Sequence, residues 1–193
     1  MSLAKELFIY SFSGTGNSRT VARWLNGKAE EKGIPSRIVD IARADRLHIE
    51  PPPPHAWIVC ISPIHGFNYP PVMLHYIFLF PKGKNRVLLM NTRAGMLIGK
   101  FITPGLTGVA FYLSTLVLKL KGYSIGAMYP VDLPSNWISV HPGLNTRTIN
   151  YLHDRNRERV HRFADRVLEG KNDFRALREM LQDLLIAPIA ILY

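Results

Sequence analysis

Ser13-Gly14-Thr15-Gly16-Asn17-Ser18 follows the apolar run Leu7-Phe8-Ile9-Tyr10 and leads directly into an amphipathic segment. A strand that turns sharply into a helix leaves the first N–H groups of the helix unpaired, and together with the helix dipole they form an anion site. Ser13, Thr15 and Ser18 add hydroxyl donors. Gly14 and Gly16 have no Cβ to hold the backbone away from phosphate oxygens, and Asn17 tolerates the left-handed region. The loop lacks the Gly-Lys-Ser/Thr ending of a triphosphate site, and its spacing is not the Gly-x-Gly-x-x-Gly of dinucleotide sites. A phosphomonoester held by hydroxyls and amides suits it best.

Around this loop, strand-like and helix-like segments alternate, which argues for an α/β protein with a parallel sheet covered on both faces. Lys5 to Ser11 reads as a strand, and the helix from Asn17 carries Val21, Trp24, Leu25 and Ala29 on one side until Gly33 stops it. Ser36 to Ile41 is an edge strand. Pro51-Pro52-Pro53-Pro54 is a stiff connector, and Trp57 to Ser62 and Val87 to Met90 are buried strands. Leu106 to Leu120 reads as a core helix, Ser124 to Leu133 as the last strand, and a long helix runs from Thr148 to Gly170. Asp173 then caps a second helix through Leu177, Met180, Leu181 and Leu184.

A chain of 193 residues with 47% hydrophobic content suits a single domain with a full core. Its one cysteine, Cys60, excludes an internal disulfide or a Cys-rich cluster site and belongs to a buried strand. Lys5 and Glu6 interrupt any secretory leader, so a cytoplasmic setting is expected. The net charge of +10 is concentrated in the middle of the chain, where Asp132 is the only acid between Pro51 and Asn145.

Ser13, Thr15, Gly16 and Ser18 match in register the Ser/Thr-x-Thr-Gly-x-Ser/Thr loop of the flavodoxin family, which holds the phosphate of FMN. The longer string Tyr10 to Ser18 resembles the branch of flavodoxin-like domains in which a ferredoxin module often follows in the same polypeptide. The resemblance implies a three-layer, doubly wound, five-stranded parallel sheet of order 2-1-3-4-5, with the ligand at the switch between strands one and three. It also implies FMN as cofactor and an iron-sulfur protein or domain as redox partner.

Two further loops are then expected at the site. Ser62-Pro63-Ile64-His65-Gly66-Phe67-Asn68-Tyr69-Pro70-Pro71 offers rings and backbone groups to an isoalloxazine, with Pro63 and Gly66 corresponding to the family's proline and glycine. Whether His65, Phe67 or Tyr69 meets the ring stays open. Asn91-Thr92-Arg93-Ala94-Gly95 is expected as a loop after strand four, its amides meeting the pyrimidine edge, Gly95 permitting close approach and Arg93 raising the potential of the reduced, anionic ring. Pro134-Ser135-Asn136-Trp137 resembles a Pro-x-Asn-aromatic signature of the same branch, in which Asn136 braces the flavin loops.

The expected activity is electron transfer. An FMN-dependent NAD(P)H:quinone reductase and a cofactor-free module binding anions or nucleic acid are the competing readings. Specific nucleic-acid binding is disfavoured, because the basic residues are not interleaved with exposed aromatics. Lys82, Lys84, Arg86, Lys119 and Lys121 are expected as one basic patch remote from the cofactor. Residues 1–171 form the domain, and 172–193 form a helical extension whose apolar end reads as a linker to a further module. That end, delivered beside the basic patch, would suit an anionic membrane surface.

Overall fold

In the computed structural model, which describes residues 3–45, 48–98, 101–134 and 144–192, β1 (Leu7–Ser11) lies inside a parallel sheet. It pairs with β2 (Ser36–Asp40) at one edge and with β3 (Trp57–Pro63) on the other side. β3 continues to β4 (Arg86–Ile98), and β4 pairs in parallel with β6 (Ser124–Pro134). A short β5 (Phe101–Thr103) folds back antiparallel on the end of β4. The five parallel strands therefore run 2-1-3-4-6, which is the expected 2-1-3-4-5 order with one small antiparallel strand inserted before the last.

Side chains alternate across a strand, so each face of the sheet collects every second residue. Leu7 and Ile9 meet α1 (Asn17–Glu31) and α4 (Thr146–Leu168) through Val21, Leu25, Val160 and Phe163. Tyr10, Ile58 and Leu89 meet α2 (Pro71–Leu79) and α3 (Ala110–Leu120) through Met73, Ile77 and Phe111. Cys60 is in this second cluster, and burial pushes its thiol up to about 12, far from nucleophilic use.

The structure departs from the sequence reading in four places. α2 was unforeseen: Pro71 reads only as the end of the preceding loop, whereas it opens the helix at a position where its missing N–H costs nothing. α3 is shorter than expected: Leu106 precedes it, and Leu116 and Leu120 are exposed. The segment from Asn91 to Gly95 is not a loop but the continuation of β4, paired with β6 as far as Gly95 and Pro134. Asp173 caps no α-helix; it bridges Ala127 of β6 and precedes a 3₁₀ turn (Arg175–Glu179) and α5 (Met180–Leu192).

The path of this last segment corrects a further expectation. α4 ends at the amino edge of the sheet, where Ala4 N–H donates to the Leu168 carbonyl. The chain then climbs along β6 through Asp173 and brings Glu179 to Arg93, on the carboxyl side. The C-terminal segment is thus delivered toward the carboxyl ends of the strands, away from the basic residues near Gly83. Of those residues, Arg86 leaves the patch: its guanidinium donates to the Gly170 and Lys171 carbonyls and lies 4.7 Å over the Trp57 ring. Lys82, Lys84 and Lys119 are exposed, and Lys121 Nζ donates to the Phe80 carbonyl. Among the described residues, no helix is long and apolar enough to cross a membrane.

Candidate functional site

A cavity of ≈ 380 Å³ opens at the carboxyl ends of β1, β3, β4 and β6, lined by residues from all three expected loops. This is the switch point of the sheet, where neighbouring connections leave in opposite directions and a crevice results.

The glycine-loop side of the cavity is organised by Gly16, whose φ of 106° turns the chain into α1. Gly16 N–H donates to Ser13 Oγ at 3.1 Å, so Ser13 shapes the loop from within. No side chain caps α1, which leaves its first-turn amides for a ligand. A Cβ on Gly14 or Gly16 would find nothing within 4 Å: the backbone borders open space there, and that is the cradle a phosphate group needs. Asn17 and Ser18 turn the other way. Asn17 Nδ2 donates to the Pro134 carbonyl at 2.9 Å, and buried Ser18 Oγ shares a 2.8 Å hydrogen bond with Thr92 Oγ1. These two side chains tie the loop to the ends of β6 and β4.

The His65 side of the cavity is built on a tight turn. His65 and Asn68 exchange backbone hydrogen bonds of 2.9 and 3.1 Å, with Gly66 and Phe67 at φ 56° and 62° between them. Both central residues at positive φ define a mirror-image hairpin turn, which glycine adopts freely and phenylalanine does not. The turn separates the three candidate rings. His65 lines the cavity together with Pro63, Ile64 and Gly66. Phe67 lies against Gly108 instead, and its carbonyl accepts from Val109 N–H at 2.9 Å. Tyr69 is removed to the core, 1% exposed, with its hydroxyl donating to the Met90 carbonyl and its ring edge-on to Phe111. Asn68 Oδ1 accepts from Tyr69 N–H and serves the turn.

Thr92, Arg93, Ala94 and Pro134 form the third wall, on the part of β4 and β6 that projects beyond β1. Asn91 is buried behind it, with Nδ2 donating to Thr107 Oγ1 and Oδ1 unpartnered. Gly95 does allow a close approach, but to β6: a Cβ there would meet Asp132 Cβ at 2.9 Å. Asn136 lies outside the described residues, as does Trp137.

Arg93 differs most from expectation. It is neither a free cation beside the ring nor a solvated surface charge. Its side chain is 2% exposed; Nε donates to Asp132 at 2.7 Å, Nη1 to Thr107 at 3.0 Å, and the two terminal nitrogens grip Glu179. Burial opposes the charge, but the bonds to Glu179 and Asp132 outweigh it and hold the guanidinium above its ordinary pKa. Asp132 also accepts from Gly105 N–H at 2.9 Å, and Arg159 stands 3.8 Å away. Two carboxylates thus offset the charge of Arg93. The sequence held one overlooked signal for this: Asp132 is the lone acid in the middle of a basic chain. Nothing local pointed to Glu179 or to Asp183, whose carboxylate accepts from Gly108 N–H at 2.9 Å.

The residues present fit a flavin phosphate at the glycine cradle and a flat ring between the His65 turn and the Thr92–Ala94 wall. A doubly wound sheet of this order with its crevice between β1 and β3 defines the flavodoxin-like class, and this chain has that fold. Two solved flavodoxins agree with the fold. The oxidised flavodoxin 1 of Bacillus cereus superposes with a TM-score of 0.56 at 14% identity, covering 83% of this chain and 95% of that one. The flavodoxin of Streptococcus pneumonia TIGR4 gives 0.51 at 14% identity, covering 82% and 94%. The Flv1 flavodiiron core from Synechocystis sp. matches 86% of this chain at 11% identity and a TM-score of 0.49, and the chain spans only 37% of that protein. No protein-family model matches the sequence, and no curated protein matches it.

Proposed function

We propose that this chain binds FMN without a covalent link and serves as an electron carrier. The observation that carries the reading is the uncapped start of α1 behind Gly14 and Gly16, opening into a cavity with room for a ring. FMN, when bound, supplies reversible one- and two-electron chemistry, and the protein supplies position and electrostatics. Ser13, Thr15 and the first amides of α1 bind the phosphate. Pro63, Ile64, His65 and Gly66 line one side of the ring site, and Thr92 to Ala94 line the other. The offset charge of Arg93 makes this wall a rigid support rather than a source of positive potential. An iron-sulfur protein or domain is the proposed redox partner, supported by the resemblance of Tyr10 to Ser18 to domains that precede ferredoxin modules.

Titration of the purified protein with FMN, riboflavin and FAD, followed by visible absorbance, tests the proposal. The expected order is FMN tightest, riboflavin weaker by the phosphate contribution, and FAD weakest because the described residues hold no second phosphate loop beside the cavity. Equal affinity for FMN and riboflavin would overturn the assignment of the loop.

A further inference from the structure

The turn that carries Gly66 and Phe67 is closed by the His65–Asn68 backbone hydrogen bonds, but its strained central residue needs a further hold. Phe67 is the only non-glycine at positive φ among the described residues, a conformation that an L side chain leaves unless its surroundings hold it. Its hold comes from a distant segment. The Phe67 carbonyl accepts from Val109 N–H, and the neighbouring Gly108 is so close that a Cβ would stand 2.1 Å from the same carbonyl oxygen. Gly108 N–H in turn donates to Asp183 Oδ1 at 2.9 Å, and the other oxygen, Asp183 Oδ2, lies 3.4 Å from the Tyr112 hydroxyl. Asp183 is 1% exposed in a helix that is otherwise lined with exposed leucines. One turn earlier, Glu179 anchors the same segment on Arg93. A carboxylate buried this deeply in an apolar helix is costly, and its hydrogen bond to Gly108 compensates for part of that cost.

We propose that Asp183 is a positioning residue for the ring side of the site, acting through Gly108 and Val109 on the backbone of Phe67. The C-terminal segment is then a working part of the cofactor site, held on it by Glu179 and Asp183, and a movement of α5 loosens the turn beside the ring. The inference rests on the proposed flavin site for its functional meaning, but the mechanical link exists with or without a flavin.

Amide hydrogen exchange on the flavin-free protein tests the link. Asp183→Ala is expected to speed exchange at Gly108, Val109, His65 and Asn68 by about tenfold or more, leaving β1 and α1 unchanged. Asp183→Asn keeps an oxygen acceptor for Gly108 and is expected to restore the protection. Glu179→Gln keeps an oxygen acceptor for Arg93, so the segment stays docked and the four amides should stay close to wild type. Asp183→Ser, polar but too short to reach Gly108, replaces the alanine variant if that one does not fold. Riboflavin affinity adds the functional readout: about tenfold weaker in Asp183→Ala and unchanged in Asp183→Asn. Unchanged exchange at His65 and Asn68 in the Ala or Ser variant would overturn the link. Faster exchange there in the Ala or Ser variant, with a wild-type protein that binds no flavin, would keep the link and overturn the functional reading alone.

Discussion

The loop Ser13–Ser18 is bent by neighbouring residues, with Gly16 N–H donating to Ser13 Oγ and Thr20 N–H to the Gly16 carbonyl, and the side chains of Asn17 and Ser18 tie it to β6 and β4. The turn His65–Asn68 closes on itself too, but its central Phe67 is held by Val109 and, through Gly108, by Asp183. The wall facing that turn depends on Arg93, whose partners Asp132, Thr107 and Glu179 come from three separate segments. Phosphate binding asks only for a bend, small residues and a helix start, so a few adjacent residues suffice. A flat ring has to be enclosed from two sides, and no short segment encloses anything. One half of the site is therefore local and the other is assembled.

Breaking the assembled half should cost the most. Arg93→Ala leaves Asp132 and Glu179 without their cation; with Asp132 buried, a loss of about 3–5 kcal/mol in folding stability is expected. Chemical denaturation measures it, and a loss below about 1 kcal/mol would mean that the wall stands without the ion pairs. Gly108→Ala combines a positive φ of 64° with the collision at Phe67, for an expected cost of about 2–3 kcal/mol. Because the collision falls on the ring turn, FMN and riboflavin should weaken by the same factor in this variant.

Thr15→Ala probes the local half and should show the opposite split. Loss of a charge-assisted hydrogen bond to phosphate, roughly 1.5–3 kcal/mol, weakens FMN by about tenfold or more and leaves riboflavin nearly unchanged. Parallel losses of both ligands in Thr15→Ala, or a phosphate-dependent loss in Gly108→Ala, would erase the distinction between the two halves.

The smallest effect concerns pH. Burial raises the Asp183 carboxyl above its ordinary value, with Glu179 adding to the rise and Gly108 N–H opposing it. A raised acid is most favourable to the folded state when protonated, so its contribution is greatest below the ordinary aspartate range. It declines as pH climbs toward the raised value. In Asp183→Asn this decline disappears, so the two stability curves should diverge across the acid limb and keep a constant offset above it. Curves that stay parallel from acid to neutral pH would show that Asp183 titrates normally.

The sequence by itself determined the alternation of strands and helices, the faces of α1 and α4 and the glycine bend after β1, because hydrophobic periodicity, glycine placement and helix starts are properties of adjacent residues; the strand order came only from the family resemblance of Ser13–Ser18. Tertiary structure decided what the ring loop and β4 do. The pattern around Asn91–Gly95 could not say that β4 runs on as strand, since its pairing partner on β6 lies far along the chain. It could not place Tyr69 in the core and His65 at the cavity either, because the turn at Gly66-Phe67 sends alternate rings to opposite sides. The charge of Arg93 was legible and its role was not: an arginine's effect is set by the carboxylates that meet it, and here Asp132 and Glu179 arrive from β6 and from the segment before α5. Local chemistry is written in neighbouring residues, whereas compensation of a buried charge depends on which distant segments the fold brings together.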